Sequence, residues 1–320
     1  MTQYCDPDQP ATAVKSGPGR RRFEFMRRAN MPVEQLGREE TAWRLMAGWG
    51  VTPDNARLER HAVYTFRGRW AHEWRQGRVF LAGDAAHLMP PFLGQGLCAG
   101  LRDARALTWR LDLVQRGLAD PSVLDSYGPE RREHVRVIIE EAVAIGRVIC
   151  ETDPERAAAR DAALRAELAD TAAHTVEPPH PRLGEPSITV PSGGPEGRLS
   201  VQGRVEVDGR TGLYDDVVGG GWQLIGWQHD PAAALPAAEL AWFAQIGGTV
   251  RAVSADGPVR DVDGAYARWF EEHGCTAVLT RPDFYVFAAG TASDVSRILA
   301  DLRQQLCPQG SERREVTSQP

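Results

Sequence analysis

The chain has no paired cysteines, no uninterrupted apolar span and no surplus of positive charge. Its five cysteines, Cys5, Cys98, Cys150, Cys275 and Cys307, are odd in number and never spaced as C-x-x-C. That argues against a disulfide framework and a dithiol redox centre, and fits a reducing, cytoplasmic setting. Even Val135 to Cys150 is broken by Glu140, Glu141 and Arg147, so nothing approaches the ~18 apolar residues of a membrane span. With 37 Lys and Arg against 43 Asp and Glu the formal charge is -6, and no global basic field invites nucleic acid or an anionic membrane. The opening MTQYCDPDQP lacks the basic start and apolar h-region of a secretory signal. No second histidine or acid stands at ligand spacing from His87, so no metal site is expected.

What is present reads as a folded protein of about two domains, at ~150 residues each. Residues 1–78 are β-like. Phe23 and Phe25 alternate with Arg22 and Glu24, and Ala62, Tyr64 and Phe66 alternate with His61, Val63 and Thr65, which predicts two half-buried strands. The cluster Arg20-Arg21-Arg22 is read as one end of the first strand. Between the two, Leu36, Trp43, Leu45 and Met46 fall near helical spacing ahead of Gly48 and Gly50, a short helix with a glycine stop.

Residues 79–176 open on one strand and then turn helical. Leu97, Leu101, Ala104, Thr108, Leu111 and Val114 form one stripe, ended by Gly117. Pro121 or Pro129 starts a second helix, with Val135, Ile138, Ile139, Ala142, Ile145 and Ile149 as its apolar face. Residues 177–198 are dense in Pro and Gly and read as an inter-domain linker. From 199 to 307 a small α/β module is expected: WQLIGW, TAVLT and DFYVFAAG as strands, DGAYARWFEEHG and SDVSRILADLRQQL as helices, the last with Val295, Ile298, Leu299 and Leu302 on one face. Trp222, Trp227, Trp242 and Trp269 are expected in its core. Residues 308–320 read as a disordered tail.

The chemistry gathers in VFLAGDAAHLMPPFLGQGLCAG, residues 79–100. A strand from Arg78 to Gly83 is predicted to deliver Asp84 to the carboxyl edge of a sheet, where α/β proteins bind ligands. An ionised Asp accepts two hydroxyl hydrogen bonds, so a ribose or ribityl chain suits it. After Pro90-Pro91 the bare backbone of Gly94-Gln95-Gly96 opens a helix whose positive end suits an anion. Gly94-x-Gly96-x-x-Ala99 matches the dinucleotide fingerprint in letters only, because the ten residues from Asp84 to Leu93 separate it from its strand. His87 reads as a locally bonded loop residue, Cys98 as packing, and Arg102-Asp103 as a structural pair on the exposed side of the helix.

These residues carry a resemblance. RVFLAGDAAHLMPPFLGQGLCAGLRDARALTWRLDLV resembles the second flavin-binding motif of the class A FAD-dependent aromatic hydroxylases, the para-hydroxybenzoate hydroxylase-like fold. QYCDP, GPGRRRFEFM, ERHAVYTF and GRVICETDP are similar to the 3-(3-hydroxyphenyl)propionate hydroxylase branch. The family's G-x-G-x-x-G turn and mid-chain Asp-Gly motif have no counterpart here. The resemblance therefore implies a mixed α/β fold: a partial FAD/NAD(P)-binding hydroxylase fold lacking its N-terminal Rossmann half, then a thioredoxin-like domain without a redox cysteine pair. It places 1–78 in the substrate-binding β-sheet region and 79–176 in the flavin-motif strand and helices. It implies FAD as cofactor, with NADH or NADPH as reductant, O2 as oxidant and a small phenolic substrate. Asp84 would hold the flavin ribose with Gly83 permitting the turn, Pro91 would line the ring edge, and Gly94, Gln95, Gly96 and Leu97 would lay backbone against it. Catalytic residues stay unassigned, and a homodimer stays open. The other readings are a polyketide or phenol hydroxylase of the same fold and a non-catalytic remnant or interaction module.

Overall fold

The computed structural model describes residues 1–170, 181–185, 187–191 and 193–308. They form two compact units that do not follow the sequence sections. The first takes in Met1–Arg69, Leu88–Gln95 and the described chain from Ile139 to the end of the last helix before residue 171. The second takes in Trp70–His87, Gly96–Ile138 and the described chain after residue 180.

In the first unit β1 (Thr2–Tyr4), β2 (Ala11–Lys15) and β3 (Arg21–Phe25) make an antiparallel meander, with Tyr4 opposite Ala11 and Ala11 opposite Phe25. The strand over Phe23 and Phe25 forms as predicted, and Arg22 pairs with Glu24 at 2.9 Å on its other face. Its aromatic face closes on Trp49, whose ring centroid lies 5.2 Å from Tyr4, 5.9 Å from Phe23 and 5.3 Å from Phe25. Trp49 is placed by α1 (Val33–Leu36) and α2 (Glu39–Ala47), one predicted helix broken at Gly37 and stopped at Gly48. The expected strand over residues 59–66 does not form. Its residues stay exposed, Tyr64 by 56%, because period-2 alternation supplies two faces but no partner strand is at hand among the described residues.

In the second unit the strand expected from Arg78 to Gly83 shrinks to two residues. After β4 (Arg69–Trp70), β5 (Arg75–Gln76) turns at Gly77, φ 58°, into β6 (Val79–Phe80), and β7 (His87–Leu88) follows. Val79 is exposed, and Leu81 N–H bonds back to the Trp74 carbonyl at 2.9 Å. Helix α3 (Gly96–Gln115) buries Ala99, Asp103, Ala106, Trp109, Arg110 and Leu113. The expected stripe is thus out of phase: Leu97 and Leu101 face solvent, because ion pairs draw the Asp103–Arg110 face inward. Asp120 caps a 3-10 turn, Pro121–Ser126, that leads into α4 (Tyr127–Ile149), so Pro121 opens the turn and Pro129 sits inside the helix. Helix α5 (Pro154–Asp170) returns to the first unit, where Arg160 donates to the Cys5 carbonyl at 2.7 Å.

The rest of the second unit is a mixed sheet. Its strands are β8 (Arg204–Val207), β9 (Arg210–Leu213), β10 (Trp222–Trp227), β11 (Gly248–Ser254), β12 (Val259–Asp261), β13 (Ala277–Thr280) and β14 (Val286–Gly290). They lie in the order β14-β13-β10-β11-β12-β8-β9, with β10 parallel to β11 and antiparallel to β13. Helices α6 (Tyr214–Val217), α7 (Ala237–Gln245), α8 (Ala265–His273) and α9 (Val295–Leu306) cover it. Alternation divides the core: Leu224, Leu279 and Phe287 meet α9 and Trp109 of α3, while Ile225, Val278 and Val286 meet Tyr266 and Phe270 of α8. Trp222 is fully buried; Trp227, Trp242 and Trp269 are half-buried. The expected Ser293-Asp294 cap is replaced by a Thr291–Asp294 capping box, which starts two residues earlier and closes a 3-10 turn, Ala292–Asp294, that leads into α9.

The segment read as a free linker is packed where it is described. Leu183 and Ile188 are buried, Gly184 N–H bonds the Glu130 carbonyl at 3.1 Å, and Val190 N–H bonds Phe287 at 2.9 Å. Residues 171–180, Pro186 and Ser192 of that stretch and the expected tail from 309 lie outside the described residues. Among the described residues no helix is long and apolar enough to cross a membrane.

Candidate functional site

In the second unit Asp84 sits in a single 3-10 turn, Gly83–Ala85, laid on the first turns of α3. Gly83 takes φ 57°, and a Cβ on Gly100 would stand 3.3 Å from its Cα. Glycine at both positions lets the turn settle directly on the helix. Asp84 is exposed, and among the described residues its carboxylate holds no hydrogen bond or ion pair. Gly96 opens α3 beside this turn, and Leu97 is 77% exposed.

Pro91, Gly94 and Gln95 belong to the first unit. Pro91 starts a 3-10 turn closed by Gly94, whose φ of 63° is left-handed and whose missing side chain faces open space. Phe92 anchors that loop: its ring packs so closely on Gly146 of α4 that a Cβ there would collide with it. The chain passes from Gln95 to Gly96 by a peptide bond, so of the seven residues read as flavin-binding the second unit holds Gly83, Asp84, Gly96 and Leu97.

Beneath the Asp84 turn lies a buried network. Asp103 Oδ2 accepts from Gly83 N–H at 3.0 Å and meets His87 Nε2 at 2.7 Å, while Oδ1 accepts from Arg131 Nε at 2.9 Å. Asp103 is wholly buried and His87 is 3% exposed, which corrects both readings: Asp103 is not on the exposed side of its helix, and His87 is bonded across 16 residues of chain. Burial alone would raise the Asp103 pKa, but the His87 hydrogen bond and the Arg131 charge outweigh it and hold the carboxyl below its usual range. The side chain therefore stays ionised and fixes the turn that presents Asp84.

A second charged cluster lies deeper. Glu130 Oε2 takes hydrogen bonds from Arg110 at 2.6 Å and Arg281 at 2.8 Å, and Arg281 also grips Asp283 at 2.9 and 2.6 Å. Glu130 Oε1 accepts Ile188 N–H at 2.7 Å, and Trp109 Nε1 donates to Asp283 at 3.0 Å. Two arginines thus neutralise two carboxylates, all side chains at most 2% exposed. Burial opposes ionisation of Glu130 and Asp283, yet the arginines hold both below the ordinary carboxylate range.

Residues 11–142 match the FAD binding domain family, and residues 197–305 match the HcaD C-terminal domain family. The chain is 38% identical to a probable NADH-specific resorcinol 4-hydroxylase of Rhodococcus jostii (strain RHA1), over 95% of this chain and 56% of that protein. It is 35% identical to a 3-(3-hydroxy-phenyl)propionate/3-hydroxycinnamic acid hydroxylase of Mycobacterium sp. (strain KMS), over 87% and 53%. The chain belongs to the class A flavoprotein aromatic hydroxylases. It spans about half the length of the curated hydroxylases it matches. In fold it is similar to the flavin-dependent monooxygenase PieE solved with FAD and substrate, at TM-score 0.70 and 24% identity over 94% of this chain and 60% of that one. Aklavinone-11 hydroxylase with FAD and aklavinone is similar at TM-score 0.65, also 24% identical, over 94% and 57%.

For this hydroxylase-family chain, sequence reasoning found the turn and missed what holds it. The signal was there: Asp103 shares the Ala99–Ala106–Leu113 spacing of the buried α3 face.

Proposed function

We propose that this chain supplies the ribose and ring edges of the FAD site in an aromatic-ring monooxygenase. The observation that carries this is Asp84: an exposed carboxylate without a partner among the described residues, on a turn fixed from below by Asp103. Its two oxygens fit ribose hydroxyls. The N–H groups at the start of α3 fit the edge of a ring that becomes negative on reduction. The chemistry supplied by bound FAD is hydride uptake from NADH or NADPH and activation of O2 for hydroxylation of a phenol.

The residues fit only part of the cofactor. Among the described residues β12 runs through the Gly264 turn into α8, but the Asp261 carboxylate already accepts from Ala265 and Ala267 N–H there, at 3.2 and 3.1 Å, so the helix start that would face a pyrophosphate is taken by a carboxylate. On this reading Gly83, Asp84, Gly96 and Leu97 of the second unit position the flavin rather than capture its phosphates. The substrate is a small phenol, in the class of resorcinol or 3-(3-hydroxyphenyl)propionate after the relatives' names, with NADH the favoured reductant. Five free cysteines suit work in the cytoplasm.

The test places the preceding part of the Rhodococcus relative ahead of Tyr4 and measures FAD affinity by flavin fluorescence. Asp84→Ala is expected to weaken it by the ~1.5–3 kcal/mol of a hydrogen bond to a charged group. Unchanged affinity sinks the assignment.

A further inference from the structure

Two cysteines of the first unit sit where β1 and α4 end. Cys5 follows β1, and Cys150 follows α4, whose last turn it closes through an N–H bond to the Gly146 carbonyl at 2.9 Å. Both are free and half-buried, which leaves each sulfur open to a small solute. The other three differ: Cys275 is buried, and Cys98 and Cys307 are exposed in the second unit.

One side chain draws the two segments together. Arg160 of α5 donates from Nη2 to the Cys5 carbonyl at 2.7 Å and from Nη1 to the Val148 carbonyl at 2.9 Å. Both nitrogens belong to one planar guanidinium, so the backbones at 5 and 148 are held side by side although they are far apart in sequence. Asp161 Oδ1 accepts from Nε and Nη2 of the same group, at 2.9 and 2.8 Å, and fixes its plane. Next to Cys5, the Tyr4 ring stands edge-on to Trp49 at 5.2 Å and its backbone pairs with Ala11. The two thiols also sense each other: burial, then the neighbouring Cys5 charge, pushes the Cys150 thiol up from its ordinary value.

We propose that Cys5 and Cys150 form an oxidation site, joined by a reversible disulfide when the protein meets hydrogen peroxide. Cys150 is held as the thiol, so Cys5 reacts first. Its sulfur takes one oxygen from the peroxide and becomes a sulfenic acid, while the other oxygen leaves as water. The Cys150 sulfur then bonds to the Cys5 sulfur and displaces that oxygen, which departs as a second water with the Cys150 proton. Two thiols give up two electrons and two protons, and the peroxide takes them. The new bond ties β1 to the turn of α4 that carries Gly146, the glycine on which Phe92 packs. The inference does not depend on the flavin reading.

The reduced, purified chain is treated with hydrogen peroxide, its remaining thiols are alkylated, and its peptides are mapped by mass. A disulfide joining the Cys5 and Cys150 peptides, lighter than their sum by two hydrogens, is expected in about tenfold excess over any other pairing and is lost with dithiothreitol. In urea, where Arg160 no longer aligns the segments, that excess is expected to vanish. Cys150→Ser is expected to leave Cys5 as a sulfenic acid that dimedone traps. Predominant pairing with Cys98, Cys275 or Cys307, predominant cross-links between chains, recovery of Cys5 and Cys150 both alkylated, an excess that persists in urea, or an untrapped Cys5 in Cys150→Ser overturns the proposal.

Discussion

Helices α3 and α9 cover the same side of the central sheet, yet they bury opposite kinds of face. Helix α9 inserts Val295, Ile298, Leu299, Leu302 and Leu306, each 0% exposed. Helix α3 inserts Trp109 and Leu113 together with Asp103 and Arg110, and leaves Leu97 and Leu101 in solvent. Dispersion and water exclusion hold α9 and tolerate small shifts. Charge pairing holds α3, and it specifies geometry: the Asp103 carboxylate must stand where Gly83, His87 and Arg131 can all reach it. The helix that carries the Gly83–Asp84 turn is the one registered by ions.

The strongest way to break this contrast is Glu130→Ala, which leaves Arg110 and Arg281 buried without their shared partner. A loss of ~3–5 kcal/mol is expected in urea unfolding, because removing one side of a buried pair strands the other charge. Leu299→Ala in α9 is expected to cost ~2–5 kcal/mol, but through a cavity. The two are separated by acid. The folded pKa values of Asp103, Glu130 and Asp283 lie below the unfolded ones. Their contribution is complete above the ordinary carboxylate range and is lost as pH falls beneath it. Leu299→Ala is expected to keep that acid-dependent slope, and Glu130→Ala to flatten it.

A smaller effect is expected at Asp84. Asp84→Ala is expected to change the stability of the chain by no more than ~0.5 kcal/mol, as at other exposed sites, and to impair flavin binding in the fusion with the Rhodococcus segment. The 320-residue chain alone is expected to retain FAD weakly or not at all and to show no phenol-dependent NADH oxidation. A yellow, stoichiometrically loaded preparation would contradict this. Smallest of all is Leu101→Ser, expected within ~0.5 kcal/mol of the parent in the same unfolding assay.

Cysteine reactivity sharpens the contrast from the other side of the sheet. Burial, then the Glu196 charge, pushes the Cys275 thiol up to about 11, so it is protonated at neutral pH. No insulin reduction is expected, and Cys275 alkylation should accelerate only as pH approaches that value.

Much of the second unit was legible from residues alone. β10, β13, α8 and α9 find their partners inside the chain and bury one apolar face, so periodicity and glycine or capping signals locate them. The phase of α3 was hidden because its buried face carries charges, which hydrophobic spacing counts as solvent. Residues 59–66 show an alternation that names the faces of a strand but not its neighbour. The Gly83–Asp84 turn was readable because glycine and a carboxylate announce themselves locally. Its support was not, since His87, Asp103 and Arg131 are brought together by the fold from 16 and 28 residues apart.

Glu130 ties three stretches of chain into one charge-neutral knot: α3 through Arg110, the 188 segment through a backbone N–H, and the end of the β13 strand through Arg281. In terms of inheritance, residues 96–138 and 181–306 must travel together. A recombination event that exchanged the C-terminal module for another would deliver a sheet without Arg281 and Asp283. It would leave Arg110 and Glu130 enclosed with half their counter-charges missing, a mismatch that buried ions do not forgive. Gene fusion or swapping in this lineage should therefore join at the entrance to α3 or outside the whole assembly, and not at the proline-rich stretch that looks like the natural seam.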